Sequence, residues 1–370
     1  MRYRYVRASE IVDFADRLAK STSPVVPITP WRARSQAENP DVQPGDTLLI
    51  VALTADEKVA GYIGLLPFRL PDRTLQRVFW NTCWWVDPDA GASASLALFS
   101  RFLKETGNRV AFSDMTEKTA AILRRLKGYE ISSRTGVLLR FSYAYHNRIL
   151  NSRKSSRALL MVNATGVFRL ADVFLNTLKK RRRSGWMKEN QSSGKIRMST
   201  QLNKAHLDFA RQHAGNTFTL PTIERFNWWK DNPWLIPPGN SSRRIARRYY
   251  FSALAAQNEL FILECNCNDE LSGFAIISNR NGVLKTHYLY SRSDSEQTFY
   301  QSLFSHLVTI PGAHTLVSFH EGFAGFVNRQ TFPVVKRKQA TRYTAMSESL
   351  KKEVGEHSRF QDGDGDYIFT

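Results

Sequence analysis

The sequence predicts a mixed α+β protein made of two similar halves that are joined by a basic segment. Runs typical of strands alternate with patterns of helical spacing along most of the chain. The order of these patterns in residues 1–146 returns in residues 196–348. With 370 residues, of which 42% are hydrophobic, the chain is long enough for two domains and apolar enough to bury their cores.

The first half reads as β-α-β-β-β-α-β-α-β. The run Thr47–Leu53 is continuously apolar, and Asp56-Glu57-Lys58 is a charged turn that leads into the next strand of a hairpin. Apolar residues at helical spacing predict the helices, one of which follows a loop of small residues at Asp89–Ser95. The predicted strands are Tyr3–Arg7, Thr47–Leu53, Val59–Leu66, Arg77–Val86, Arg109–Asp114 and Thr135–Ser142, and the predicted helices are Ile11–Ala19, Ser93–Thr106 and Thr116–Lys127.

The middle of the chain differs in composition. Val167–Leu178 has one apolar helical face and runs into the basic stretch Lys179–Arg183. Ser184–Lys195 is polar and rich in Ser, Gly and Lys, which is typical of a linker.

The second half then repeats the first, which indicates an internal duplication; the alternative is one irregular α+β domain. The predicted helices are Met198–Ala214, Thr298–Val308 and Phe323–Gln330, and the predicted strands are Glu259–Glu264, Leu271–Ser278, Val283–Tyr290, His314–Phe319 and Lys338–Met346.

The balance of charge indicates an anionic partner. There are 52 Lys and Arg against 33 Asp and Glu, which leaves a net charge of +19. Such a charge suits nucleic acid, an acidic membrane face, an acidic carrier protein or a phosphorylated ligand.

Cysteine usage and hydropathy set the expected compartment. Cys83, Cys265 and Cys267 are too few for a disulfide framework, and the spacing of the last two is too short for half of a zinc site. We therefore expect reduced thiols and no metal. The sequence has no apolar run of membrane-spanning length and no apolar stretch at its N-terminus. We expect a cytoplasmic protein, or one peripheral to the inner face of a membrane.

The segment Cys83–Ile131 carries a resemblance to a known superfamily. Its strand ends at Val86-Asp87-Pro88 and leads to small residues at the start of a helix; a strand at Val110–Ser113, a helix at Thr119–Leu126 and the pair Gly128-Tyr129 follow. This order resembles the GNAT acyltransferase superfamily in its tandem form. It is similar to Fem-type peptidyltransferases and to acetyltransferases associated with bacterial surface-polysaccharide genes.

The resemblance implies two tandem domains, each a mixed and largely antiparallel sheet flanked by helices. The predicted boundaries are 1–146 and 196–348 for the domains, 147–195 for the basic helix and linker, and 349–370 for an acidic tail. It also implies acyl transfer from acetyl-CoA or another acyl-CoA to an amine of a sugar, lipid or amino-acid acceptor.

The donor site that the resemblance implies has a physical basis. A helix start binds a diphosphate through its free N–H groups, and residues without bulk allow close approach. The pantetheine would pair with the edge of the strand that ends at Trp85 and Val86. The implied donor-binding residues are Trp85, Val86, Gly91, Ala92, Ser93, Ala94 and Ser95. The corresponding loop of the second half, Ser291–Glu296, has no glycine, so that half is better suited to be an acceptor platform or a scaffold.

Three residues at strand ends are candidates for proton transfer, and each has a simpler alternative. Asp114 follows a predicted strand, where it is either a base or, more commonly, the N-cap of the next helix. His320 and Glu321 hold the equivalent place in the second half, either as a tuned base or as an exposed pair. For substrate binding the candidates are Tyr288, Tyr290, Trp228 and Trp229, with core packing as the alternative.

The sequence is compatible with several kinds of partner. The acceptor is a small or lipid-linked molecule, and an acyl-carrier protein is an alternative donor. The helix Val167–Leu178 lies either on an anionic membrane face or between the domains. The basic cluster Arg243–Arg248 suits RNA or a phosphorylated ligand. The tandem halves and the net charge of +19 also suit a Fem-like aminoacyl transferase that takes its donor from charged tRNA. A catalytically degenerate binding module is the non-enzymatic alternative.

The acidic tail is the last feature. Asp362-Gly363-Asp364-Gly365-Asp366 resembles the opening of a calcium loop, but Tyr367 stands where glycine should be. We expect the tail to fold back onto the basic surface.

Overall fold

A computed structural model describes residues 1–70, 73–146, 149, 156–190, 193–355 and 358–369. The strands are β1 Arg2–Arg7, β2 Thr47–Leu53, β3 Val59–Leu70, β4 Arg73–Val86, β5 Val110–Met115, β6 Tyr129–Arg140, β7 Lys195–Ser199, β8 Asn258–Cys267, β9 Glu270–Arg280, β10 Val283–Ser291, β11 Thr315–Ser318 and β12 Lys336–Ser347. The helices are α1 Ile11–Lys20, α2 Pro30–Ala37, α3 Gly91–Thr106, α4 Glu117–Leu126, α5 Arg157–Ala164, α6 Val167–Glu189, α7 Lys204–His213, α8 Ile223–Asp231, α9 Asn240–Arg248, α10 Glu296–Leu307, α11 Glu321–Arg329 and α12 Glu348–Val354, and short 3-10 turns lie at Pro88–Ala90 and Tyr367–Phe369.

All of these strands form one sheet with a palindromic order. The order is β1-β2-β3-β4-β5-β12-β6-β11-β10-β9-β8-β7, so the two halves are related by a pseudo-two-fold axis between β12 and β6. The last strand of each half has crossed over: β6 pairs with β11 of the second half, and β12 pairs with β5 of the first. The two exchanged strands pair with each other from Tyr129↔Ser347 to Arg140↔Lys336.

The mixed α+β class and the tandem arrangement are confirmed, but the two predicted sheets are in fact one. The exchange has a direct consequence for the predicted boundary at residue 146. A cut there separates β6 from both of its neighbours, β11 and β12. Neither half is therefore a self-contained sheet.

Some predicted elements are wrong in the middle of the chain. Where we predicted a polar linker, α6 continues to Glu189 and β7 begins at Lys195. Met198 lies in β7 rather than in a helix.

Helices cover both faces of the sheet. Side chains of α3 and α4 pack on one face of the first half, and those of α10 and α11 continue that layer in the second half. The other face is covered by α1 and α2, and then by α7 and α8. One core on this second face joins the halves, since it contains Trp80 and Phe68 of the first half, Tyr288 of the second, and Ile368 and Phe369 of the tail.

The tail folds back, as expected, but into the core rather than onto the surface. Asp362, Asp364 and Asp366 are 3%, 1% and 7% exposed. The Asp362 carboxylate forms ion pairs with Arg342 at 3.1 Å and with Arg134 at 3.2 Å, one from each exchanged strand. The tail thus binds the centre of the sheet.

Candidate active site

The sheet has two equivalent openings, one in each half. In the first half, β4 and β5 run parallel and pair only at Phe79↔Val110 and Trp80↔Ala111. In the second half, β10 and β11 pair only from Val283↔Thr315 to Lys285↔Val317. Beyond these pairs each first strand stays paired with β3 or β9 but no longer with β5 or β11, and it has a bulge at Thr82 or at His287. Each opening therefore has a strand edge without a partner strand, beside a helix start.

The first opening has an accessible helix start. The helix α3 begins at Gly91, two residues before the predicted start, so the small residues form its first turn rather than a loop. Gly91, Ala92 and Ser93 are exposed, Ser95 is half-buried, and only Ala94 is buried. The first turn contains no acidic residue, and no side chain caps it. Its N–H groups are therefore placed to bind an anion.

The strand edge at the first opening is also accessible. Trp84, Trp85 and Val86 are half-buried. On the face of the sheet away from α3, Trp85 stacks on Tyr62 with ring centroids 5.3 Å apart. Trp84 stacks on Phe99 of α3, with centroids 4.7 Å apart. These contacts hold the strand in place and leave part of its surface open.

Asp114 lies across the first opening from β4. It is exposed and belongs to β5. The capping alternative is wrong for this residue, because Thr116 caps α4 by accepting a hydrogen bond from the Thr119 N–H at 3.2 Å. The Asp114 carboxylate is therefore not bound to the start of α4.

The second opening is occupied by the tail of the chain itself. The N–H of Gly363 donates to the carbonyl of His287 at 2.7 Å, and the N–H of Leu289 donates to Gln361 Oε1 at 3.3 Å. Leu289 and Tyr290, which match Trp84 and Trp85 in register, are only 5% and 2% exposed. The two openings are therefore equivalent in topology but differ in access.

The start of α10 also differs from that of α3 in charge. Glu296 takes the place of Gly91 at the first position of the helix. Its carboxylate accepts a hydrogen bond from the Tyr300 hydroxyl at 2.7 Å. A carboxylate at this position repels a diphosphate. The first turn of α3 has no acidic residue and therefore lacks this repulsion.

A pocket of about 710 Å³ lies beside the second opening and is lined from both faces of the sheet. One side is formed by α10 and the start of α11, and the other by the end of α7, the tail and strands β6 and β12. Along the sheet it reaches Met346, whose partner on β5 is Ala111. Its lining includes the carboxylates of Glu130, Glu296 and Glu321 and also the cations Arg134, Lys351 and Arg359, and Lys351 forms an ion pair with Glu130.

His320 lies at the end of this pocket that is nearer to α10. Its Nδ1 accepts a hydrogen bond from the Phe323 N–H at 3.3 Å and caps α11, which assigns the ring proton to Nε2. Burial lowers the pKa of His320, so the ring is neutral at pH 7. The exposed-pair alternative holds for Glu321 only. His320 is arranged to donate a hydrogen bond from Nε2 rather than to accept a proton at Nδ1.

The predicted substrate-binding aromatics belong mostly to the core. Trp228, Trp229 and Tyr288 are 6%, 5% and 1% exposed, and Trp229 stacks on Tyr288 with centroids 5.7 Å apart. The Tyr288 hydroxyl donates to Asp364 at 3.0 Å. Packing therefore describes these three side chains, whereas Tyr290 contributes to the pocket lining.

No protein-family model matches the chain, and no curated protein matches it. Among solved structures it is similar to a tandem GNAT protein from the clavulanic acid biosynthesis pathway, with 10% identity and a TM-score of 0.47 over 94% of this chain and 98% of that one. It is also similar to a putative acetyltransferase from Pyrococcus horikoshii, with 10% identity and a TM-score of 0.44 over 95% and 90%.

A third similar structure is a GCN5-related N-acetyltransferase from Anabaena variabilis, with 11% identity and a TM-score of 0.41 over 93% and 72%. All three are GNAT proteins or acetyltransferases, and the sequence resembles the same superfamily. The Fem-type part of that resemblance stays a prediction.

Proposed function

We propose that the protein is an acyltransferase whose thioester donor binds at the first opening, between β4 and β5. The observation that supports this most is the difference between the two openings. The first has a helix start of small, mostly exposed residues with no acidic side chain in its first turn, and Asp87 and Asp89 lie in the short turn before it. The second has Glu296 at its helix start and the chain's own tail along its strand edge.

Each part of an acyl-CoA matches a feature of the first opening. The diphosphate lies at the first turn of α3, where N–H groups and the helix dipole stabilise negative charge. The pantetheine amides pair with the unpaired edge of Trp84–Val86. The thioester then lies in the gap between this edge and β5.

The acceptor is an amine, and it enters through the pocket that extends along β6 and β12. Its nitrogen attacks the thioester carbonyl, so that a C–N bond forms, the C–S bond breaks and the sulfur leaves as a thiol. The nitrogen loses one proton to a base, and the departing thiolate takes one proton from that protonated base or from water, so that no net proton is released. Asp114, exposed on β5 across the opening, is the candidate base.

Two matched variants test the donor site. Ala92 and Gln297 hold equivalent positions at the starts of α3 and α10, and both are exposed. Ala92→Glu should abolish the rise in melting temperature that acetyl-CoA, longer acyl-CoAs or free CoA cause in the unmodified protein. Gln297→Glu should leave that rise unchanged. A ligand at 100 times its Kd adds about 2.7 kcal/mol, which is a shift of a few degrees.

The opposite result would place the donor elsewhere. Loss of the shift in Gln297→Glu but not in Ala92→Glu would move the donor to the second half. No shift with any CoA in the unmodified protein would contradict a CoA donor. Acyl-carrier protein and charged tRNA would then be tested, and both stay predictions from the sequence.

A further inference from the structure

The helix α6 packs on the rest of the protein with its polar side rather than with its apolar side. Asp172 accepts hydrogen bonds from the N–H groups of Tyr145 at 2.9 Å and His146 at 3.0 Å. Asn176 bonds both the N–H and the carbonyl of Tyr143 at 2.9 Å. Lys179 donates to the carbonyl of Val334 at 2.8 Å. Asp172, Asn176 and Lys179 lie on one side of the helix, three or four residues apart.

The opposite side of α6 is apolar and faces outward, and α5 continues it. A helix in a water-soluble protein normally buries its apolar side. Here eight large apolar side chains within twenty residues are more than a third exposed, and a contiguous patch of this kind marks an interaction site. They are Leu159 (38%), Met161 (73%), Val162 (47%), Val167 (56%), Leu170 (72%), Val173 (60%), Phe174 (64%) and Leu178 (63%), which together we call the apolar patch.

Positive charge surrounds the apolar patch. Five exposed basic residues lie on α6, and Glu189 is the one exposed acidic residue that the structure describes on α5 and α6. A groove of about 980 Å³ runs along one side of α6, and Arg169, Lys180 and the exposed Val173 all line it. The five basic residues are Arg169, Lys180, Arg181, Arg182 and Lys188.

We propose that α5 and α6 dock the protein on an anionic phospholipid surface, with both helices in the plane of the interface. Apolar side chains enter the boundary of the acyl chains while basic side chains meet the phosphate groups. This proposal does not depend on the proposed function.

Two observations favour this occupant and this orientation. A second copy on the same patch would bring two clusters of five positive charges together, whereas an anionic surface neutralises them. Among the described residues no single helix is long and apolar enough to span a membrane, although the bent pair Ala158–Ala164 and Val167–Glu189 meets that test jointly at an angle of 62°. The polar side of α6 is bound to the protein, so lipid cannot surround this helix.

Vesicle co-sedimentation of the full chain tests the proposal. The protein should bind vesicles of 30% phosphatidylglycerol in phosphatidylcholine, and binding to pure phosphatidylcholine should be at least tenfold weaker. The double variant Leu170→Glu/Phe174→Glu should lose at least tenfold in binding. Met198→Glu, which adds one carboxylate at a 49% exposed apolar residue of β7, should bind like the unmodified protein. Each basic residue removed from α6 should weaken binding by about fivefold.

Several results would overturn the proposal. One is that the protein does not bind the anionic vesicles. Another is that Leu170→Glu/Phe174→Glu binds them as well as the unmodified protein does and has the same melting curve by circular dichroism. Sedimentation velocity tests whether a second copy occupies the apolar patch instead. If the protein forms a concentration-dependent dimer, the double variant does not, and neither binds lipid, the apolar patch is assigned to a second copy.

Discussion

Replacement of Asp362 by alanine should destabilise the protein more than any exposed charge change. The carboxylate is 3% exposed, and its oxygens meet Arg342 at 3.1 Å, Arg134 at 3.2 Å and the N–H of Phe319 at 2.7 Å. Removal of one member of a buried ion pair costs about 3–5 kcal/mol, because the remaining charge is left uncompensated. Asp364 also attracts the charge of Arg134, which therefore stays partly compensated in the variant. We expect a loss at the lower end of the range, about 3 kcal/mol.

Urea unfolding followed by tryptophan fluorescence measures this loss as a lower midpoint at an unchanged slope. Asp294→Ala is the matched control, because Asp294 forms an exposed pair with Arg292 at 2.8 Å and its removal should leave the midpoint almost unchanged. Asp362→Asn keeps an oxygen for the Phe319 N–H but removes the charge, so it should cost nearly as much as alanine. A loss for Asp362→Ala within 1 kcal/mol of the control would refute the view that the tail holds the exchanged strands together.

The remaining predictions concern pH, packing and strand exchange. Burial raises the pKa of both Asp364 and Asp366 to about 6, above the usual 3.8, so the native state binds more protons than the unfolded state between about pH 4 and 6. Stability should therefore fall as pH rises through that window, and Asp364→Asn/Asp366→Asn should flatten the dependence of melting temperature on pH. Gly136→Ala would place Cβ against the backbone of β11 and should lower the melting temperature by several degrees, whereas Gly185→Ala, with no atom within 4 Å of the new Cβ, should not lower it. Residues 1–146 expressed alone should show no cooperative thermal transition, because β6 lacks both neighbours; a sharp transition would contradict the exchange.

Local signals in the sequence predict most of the individual elements. The hairpin of β2 and β3 follows from two apolar runs around Asp56-Glu57-Lys58, since nearby strands pair readily. The first part of β6 was missed because Glu130, Ser132 and Arg134 alternate with less polar residues. These three side chains line the pocket, so polarity there reflects the site rather than a loop.

Non-local contacts explain what the sequence does not reveal. Nothing local distinguishes a strand that returns to its own half from one that crosses to the other, because either neighbour satisfies the same edge. The composition of the tail suggested an acidic end that lies on the basic surface, although the apolar residues Tyr367-Ile368-Phe369 were an available signal for burial in the core.

The candidate site was predicted in part. The small residues at the start of α3 pointed to an accessible helix start, and the structure has one. Glu296 and Tyr300 were missed as a bonded pair, although their spacing of four residues on a helix is a detectable signal. Their importance depends on the pocket between them and His320, which only the fold creates.

The exchange of β6 and β12 also sets an order of events during synthesis. The ribosome must add about 175 residues after Arg140 before Thr315, the first residue of β11, is made, and at typical rates this takes about 10–35 s. During that time neither β11 nor β12 has been synthesised, so both edges of β6 lack their native partners. The nascent first half is therefore open to wrong pairing with other chains, and a chaperone that shields β6 should raise the yield of native protein.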